Sequence, residues 1–283
     1  DLPRPSASPT GSWYCAMDDS NPERLVPRER CPELTADERE AYGWQLPVGG
    51  FGEAAQRRLK GASVLVSRVG GLGGMVAFEL AAAGIGRLIL AHGGALRSDD
   101  LNRQLLMTHG HIGKPRIDSA VARLKALNPR VEIVAEAANI CESNVARLVA
   151  LADVVVDGAP LFEERYLMNR EAMRQGRPMV EAAVYDLEFH LTTFLPGVTG
   201  CLRCLYPKPS ATWTRRFPVL GAVSGVAGSM AALEVIKQIT GMAPTLAGRL
   251  LTVDLRTWRM SRLKRGRVPG CPDCGRSAGG PNP

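Results

Sequence analysis

The stretch Ser63-Val-Leu-Val66 followed by Ser67-Arg-Val-Gly-Gly-Leu-Gly-Gly74 decides the fold. Residues 63–66 form a short, β-branched, apolar run with no polar alternation, the pattern of a strand buried on both faces. A glycine-rich turn follows directly. From Leu72 to Ala83 the residues are small and apolar, as in a helix packed closely on a sheet. A strand, a glycine turn and a helix in that order form a setting where backbone N–H groups can approach phosphates at a helix N-terminus. Alone, a glycine loop is a weak signal.

Outward from this core the same alternation repeats. Strands are expected at Arg87 to Ala91, Val131 to Ala135, Asp153 to Asp157 and Met179 to Ala183. Between them lie helical patterns at Pro115 to Leu127, Ser143 to Leu151 and Glu163 to Gln175. Strands alternating with helices predict a Rossmann-like, doubly wound, mostly parallel α/β sheet. The pattern then changes. Glu188 to Leu195 alternates like an antiparallel strand, Leu220 to Thr240 is a long helix studded with Ala, Gly and Ser, and Leu250 to Asp254 and Trp258 to Leu263 read as closing strands. An antiparallel C-terminal extension is therefore expected. On the other side of the core, Thr35 and Glu38 form a capping-box pattern opening a short helix to Trp44, and Glu53 to Lys60 forms another. Residues 1–34, rich in Pro, Ser, Asp and Arg, read as a flexible arm, 35–275 as one domain, and 276–283 as a flexible tail.

The chain has 283 residues, 45% of them hydrophobic and 22% charged, enough to bury a sizeable core. No apolar run approaches the roughly 20 residues of a membrane span, and no secretory signal is visible, so a cytoplasmic protein without membrane association is expected. Of the net charge of +7, much falls on Arg256, Arg259, Arg262, Lys264, Arg265 and Arg267. Such a strip suits an acidic tail, a phosphate or RNA, and equally a solvated strand edge. Aromatic interleaving for base stacking is missing, which leaves nucleic acid weakly supported.

Four of the seven cysteines form two pairs, Cys201-Leu-Arg-Cys204 and Cys271-Pro-Asp-Cys274. Each pair places two thiolates on one tight turn, and two turns can close a tetrahedron around zinc. Four sulfur ligands leave no open position, so this metal would be structural and would staple the C-terminal segment to the body. Cys15, Cys31 and Cys141 lack neighbours that argue for reactivity.

Several motifs stand in a fixed order: the glycine loop with Gly70, Gly71 and Gly73, Leu101-Asn-Arg103-Gln104, Ile112-Gly-Lys-Pro-Arg116, Asn128-Pro129, Val156-Asp157 and the two cysteine pairs. Together, over residues 36–275, they resemble the ThiF/MoeB/HesA family, relatives of the ubiquitin-activating enzymes. The resemblance implies a protein that binds ATP and magnesium and adenylates the C-terminus of a ubiquitin-like sulfur carrier or peptide. It implies a homodimer, or a heterodimer with a homologue, and the helix from Leu220 resembles a segment buried at the family's dimer interface.

The departures from the family's pattern concentrate on the chemistry. Arg68 stands where the loop has its first glycine. His92 replaces the acid that holds the ribose, Gly94 the next acidic position, and Asp100 an asparagine. Arg116 replaces a lysine, keeping charge but not shape. Pro160 stands at the magnesium-binding aspartate, and Ala41 and Trp44 at the positions of an arginine lent to the partner's site. As an enzyme, the chain would grip phosphate with Arg68, Arg103 and Arg116, contact the ribose through His92, use Gln104 beside the loop, and hold magnesium on Asp100 or Asp157. As a non-catalytic module it would clasp a protein tail or complete a heterodimer. An altered anionic ligand or tRNA is a third reading. The bland alternatives are that His92 caps a strand and that Arg68 pairs with an acid such as Glu79. The segment from Leu205 to Phe217 contains no cysteine, which excludes thiol transfer from it.

Overall fold

The computed structural model describes residues 25–209 and 213–275. The expected tail at 276–283, and the expected arm up to residue 24 with Cys15, lie outside the described residues.

Eight strands form one sheet: β1 (Ser63–Ser67), β2 (Arg87–Ala91), β3 (Glu132–Glu136), β4 (Val154–Asp157), β5 (Met179–Tyr185), β6 (Glu188–Phe194), β7 (Arg249–Asp254) and β8 (Arg259–Lys264). Their order is β3-β2-β1-β4-β5-β6-β7-β8, parallel from β3 to β5 and antiparallel from β5 to β8. The chain leaves β1 toward β2 and β3 on one side, then returns to β4 on the other. This reversal opens a crevice beyond the C-terminal ends of β1 and β4, where open α/β sheets bind ligands.

The helices are α1 (Ala36–Ala41), α2 (Gly52–Gly61), α3 (Gly71–Ala83), α4 (Arg116–Leu127), α5 (Val145–Ala150), α6 (Phe162–Arg174), α7 (Leu202–Leu205) and α8 (Gly221–Thr240). The capping box expected at Thr35 and Glu38 is formed in both directions. Two apolar cores flank the sheet. On one face α2, α3, α4 and α8 cover Val64, Val66, Leu88 and Leu90; on the other α5, α6 and α7 cover Leu65, Ile89 and Val155. Both sets of strand residues are fully buried, and each large side chain contributes about 1.5–3 kcal/mol on leaving water. A Cβ on Gly228 would lie 2.6 Å from the Leu72 carbonyl, so glycine there lets α8 pack tightly on α3.

One reading changes. Residues 25–34 are not a free arm: Val26 is fully buried in the core, Leu34 is buried, and Arg30 forms a two-pronged ion pair with Asp153, both contacts at 2.8 Å. Their Pro- and Arg-rich composition hid two anchoring side chains. Of the basic strip, Arg259, Arg262 and Lys264 lie on β8, the outermost strand, where charge can guard an unpaired ladder. Among the described residues, no helix is long and apolar enough to cross a membrane.

Candidate functional site

The turn after β1 holds Arg68 in the left-handed region, φ 60°, a conformation costly for a residue with a Cβ. Its N–H is anchored on the Ala91 carbonyl at 2.8 Å. Beneath it, a Cβ on Gly73 would sit 2.5 Å from the Arg68 carbonyl oxygen, so the helix N-terminus approaches the turn only because that residue is glycine. The Arg68 side chain is buried and reaches the first turn of α6, where Nε donates to Glu164 Oε2 at 2.8 Å and Nη2 to Oε1. Glu79, the partner expected from sequence, accepts from Ser229 instead.

Asp100 is the hub of a second ion-paired cluster. Its Oδ2 accepts from Arg116 Nε (3.0 Å) and Nη2 (2.6 Å) and from the Arg97 N–H (3.0 Å). Its Oδ1 accepts from Gln104 Nε2 (2.8 Å) and Arg103 Nη2 (3.4 Å). Arg116, Asp100 and Gln104 are all buried. Between the two clusters, at the end of β2, lies His92, also buried. Burial, with Arg68 and Arg116 nearby, pushes its ring down to about 3, so it stays neutral at ordinary pH. His92 Nδ1 and Gln104 Oε1 are buried without a hydrogen-bond partner.

These groups line a cleft of about 610 Å³ that continues into a pocket of about 150 Å³. The structure thus brings together Arg68, Gly70, Gly71, His92, Asp100, Arg103, Gln104 and Arg116. Gly73 supports the turn from below. Asp157 lies behind the cleft wall, fully buried, with Oδ2 on Arg165 Nε at 2.8 Å and Oδ1 on the Ala159 N–H at 3.1 Å. Arg165 also donates to Glu181, and Glu181 meets His190 Nε2 at 3.0 Å. Burial pushes the Asp157 carboxyl above its ordinary range. Arg165 opposes this without overcoming it.

Sequence reading missed the far wall. Trp213, Arg215, Phe217 and Val219 line both parts of the cleft or its inner pocket, and Arg216 lines the outer part. The Trp213 indole donates to the Pro160 carbonyl at 2.7 Å, tying this wall to the position the resemblance assigns to magnesium. Trp213 and Phe217 stack at 5.2 Å, with Tyr185 beside them. The run Trp213-Thr-Arg-Arg-Phe217 was a visible signal, but no periodicity placed it on any element.

At the other end of α6 the four cysteines converge. All four sulfurs lie within 4.8 Å of one another, with Cys201–Cys271 at 3.6 Å and Cys204–Cys274 at 3.4 Å. A tetrahedron with zinc–sulfur bonds of about 2.3 Å has edges of about 3.8 Å, whereas a disulfide needs about 2.05 Å. The donor set fits a closed metal site. The Val268 N–H points at Cys204 Sγ, 3.3 Å away. Asn169, fully buried on α6, clamps both turns: Oδ1 accepts from the Leu202 N–H (2.8 Å) and Nδ2 donates to Asp273 (2.7 Å).

The ThiF family profile matches residues 42–273. The heterocyst HesA protein of Trichormus variabilis is 49% identical over 247 residues, covering 87% of this chain and 92% of that protein. The sulfur carrier protein adenylyltransferase of Thermus thermophilus is 35% identical over 250 residues, 85% of this chain and 92% of that one. Among solved structures, E. coli MccB with ATP superposes with a TM-score of 0.69 at 26% identity, covering 78% of this chain and 69% of that one.

Proposed function

We propose, from the premise that this chain belongs to the ThiF family, that its cleft holds the C-terminal tail of a ubiquitin-like sulfur carrier or a peptide, with magnesium-dependent adenylation weakened or lost. The observation that carries this reading is the buried Arg68–Glu164 pair. It stands where the resemblance puts the loop's first glycine, and so fills the approach to the helix N-terminus with a side chain already neutralised.

A magnesium–triphosphate needs free cations and a free acid. In the depth of the cleft Arg68 is matched by Glu164 and Arg116 by Asp100, which Arg103 also meets at 3.4 Å; the cations without an acidic partner among the described residues, Arg215 and Arg216, stand at the mouth. Asp157 has both oxygens engaged and no exposed surface. Asp99, exposed at the mouth, is paired with Arg97. These residues do not fit magnesium-ATP, and no step is derived through it. Holding a tail asks less of the site: hydrogen-bond acceptors at the floor and an apolar wall, supplied by His92, Gln104, Trp213 and Phe217.

The cysteine cluster serves folding in this reading. Cys201, Cys204, Cys271 and Cys274 would hold a zinc ion that ties residues 268–275 to α6 and α7. A dimer, with a second copy or a homologue, is supported by Trp44, 97% exposed, and by Val226 and Leu233, which leave an apolar face on α8 open.

Calorimetric titration with ATP, with and without magnesium, tests the proposal. The expected result is no magnesium-dependent binding at millimolar ATP. Micromolar, magnesium-dependent binding would overturn it in favour of an active adenylyltransferase.

A further inference from the structure

The charges around the cleft do not balance evenly from floor to mouth. Six arginines line its outer part: Arg68, Arg97, Arg103, Arg116, Arg215 and Arg216. The first four are answered within the chain by Glu164, Asp99 and Asp100. Arg215 and Arg216 are exposed, and neither has an acidic partner among the described residues. They follow Trp213, whose indole fixes the wall to Pro160, so the pair is presented at the mouth. Adjacent like charges repel, and an anion that meets both gains from each.

The floor asks for something different. His92 Nδ1 and Gln104 Oε1 are buried and unpartnered, and the Gln104 amide N–H is already spent on Asp100. A buried acceptor left unmet costs about 1–3 kcal/mol; Gln104 Oε1 is one, and His92 Nδ1 is a second when the ring proton sits on Nε2, so the ligand should bring N–H or O–H donors to this end. Between floor and mouth runs the wall of Trp213 and Phe217. An extended peptide meets all three demands, with main-chain N–H groups at the floor, backbone against the rings, and side chains reaching the mouth. A triphosphate set in the depth of the cleft would instead put its charge against Arg68 and Arg116, which are already paired.

We propose that the cleft selects an acidic tail, with Arg215 and Arg216 recognising glutamate or aspartate side chains upstream of the terminus it holds. This rests on the tail-binding reading above and names the chemical class of the tail.

The test uses fluorescence anisotropy with short labelled peptides ending in Gly-Gly, identical except for glutamate, glutamine or lysine at the same upstream positions. At low salt the glutamate peptide should bind about fivefold or more tightly than the glutamine peptide, and the gap should shrink as salt rises. In the exposed double variant R215E/R216E the ratio should fall to one or below, and the lysine peptide should become the tightest of the three. Equal binding of glutamate and glutamine peptides by the unmodified chain would overturn the selectivity and leave tail binding standing. A glutamate preference that survives in R215E/R216E would overturn the assignment to these two arginines. Failure of every peptide to bind at millimolar concentration would overturn the tail-binding reading itself, and this inference with it.

Discussion

Helix α6 carries a site at each end, and the two are charged on opposite plans. Toward its C-terminal end, Asn169 and Met173 face four sulfurs gathered within 4.8 Å. As thiolates the four would repel one another, so they would give up their protons only with a cation among them. Toward its N-terminal end, Glu164 and Arg165 answer Arg68 on one side and Asp157 and Glu181 on the other. At that end two arginines meet three acids within the chain, so no cation is left open. A site built for a charged ligand leaves charge open, and a site whose charges meet within the chain does not call for one. By this measure the cysteine cluster is poised for a metal, and the depth of the cleft is not poised for a phosphate. Only the mouth, at Arg215 and Arg216, is left open.

The largest effect should come from the open end. Removing the metal with a strong chelator, or replacing Cys271 with serine, should release residues 268–275 and cost about 5 kcal/mol or more. For a chain this size that lowers Tm by about 10 °C or more in a thermal melt. Elemental analysis should first find one zinc per chain. A metal-free protein of unchanged Tm would break the comparison on this side.

Next comes the closed end. In Arg165→Met the buried carboxylates of Asp157 and Glu181 lose their shared cation. The loss should be about 3–5 kcal/mol in urea unfolding. Glu181 keeps its contact with His190 Nε2, while the Asp157 carboxyl, already pushed up by burial, loses the cation that opposes this, so the variant should become more sensitive to rising pH. A cost under about 1 kcal/mol would show that these charges are not what holds the cleft wall.

His92 gives a smaller, pH-dependent effect. Its folded pKa, about 3, is depressed below the unfolded value near 6.5. The unfolded chain takes up a proton that the folded one refuses, so this contribution to stability is complete above about pH 6.5 and is lost as pH falls toward 3. By about pH 5 the loss should reach about 2 kcal/mol, and His92→Gln should flatten the stability–pH curve by that amount. Parallel curves for the two proteins would mean the ring is protonated in the fold.

Smallest should be Trp44→Ala. At 97% exposure the side chain supports little of the fold, and unfolding should shift by less than about 0.5 kcal/mol. If sedimentation shows a dimer in the unmodified protein, the same change should weaken it, which places Trp44 at the subunit boundary.

Much of this was legible in the sequence, for particular reasons. Parallel strands buried on both faces appear as bare apolar runs, and every expected strand is present within two residues at its ends. The cysteine cluster was legible because two tight turns need fixed spacing. The cleft residues Arg68, His92, Asp100 and Arg116 were legible through motif order. What was not legible was how their charges are answered. Glu164 lies 96 positions from Arg68 in the chain, and nothing local pairs them; the nearer acid, Glu79, points elsewhere. Asp157 looked available because a strand end usually faces the crevice, yet Arg165, eight residues on, covers it. Residues 25–34 looked free because their composition is that of a linker, while Val26 and Leu34 anchor them singly.

The central claim, that internal charge pairing has displaced magnesium-ATP chemistry from the cleft, is tested most directly by undoing the pairing. The measurement is pyrophosphate–ATP exchange in the unmodified chain and in the combined variant R68G, H92D, D100N and P160D, with a Gly-Gly-ended carrier or peptide present. R68G also suits the left-handed backbone at that position. The account predicts no exchange above background in the unmodified chain and magnesium-dependent exchange in the variant. Robust magnesium-dependent exchange in the unmodified chain would contradict it.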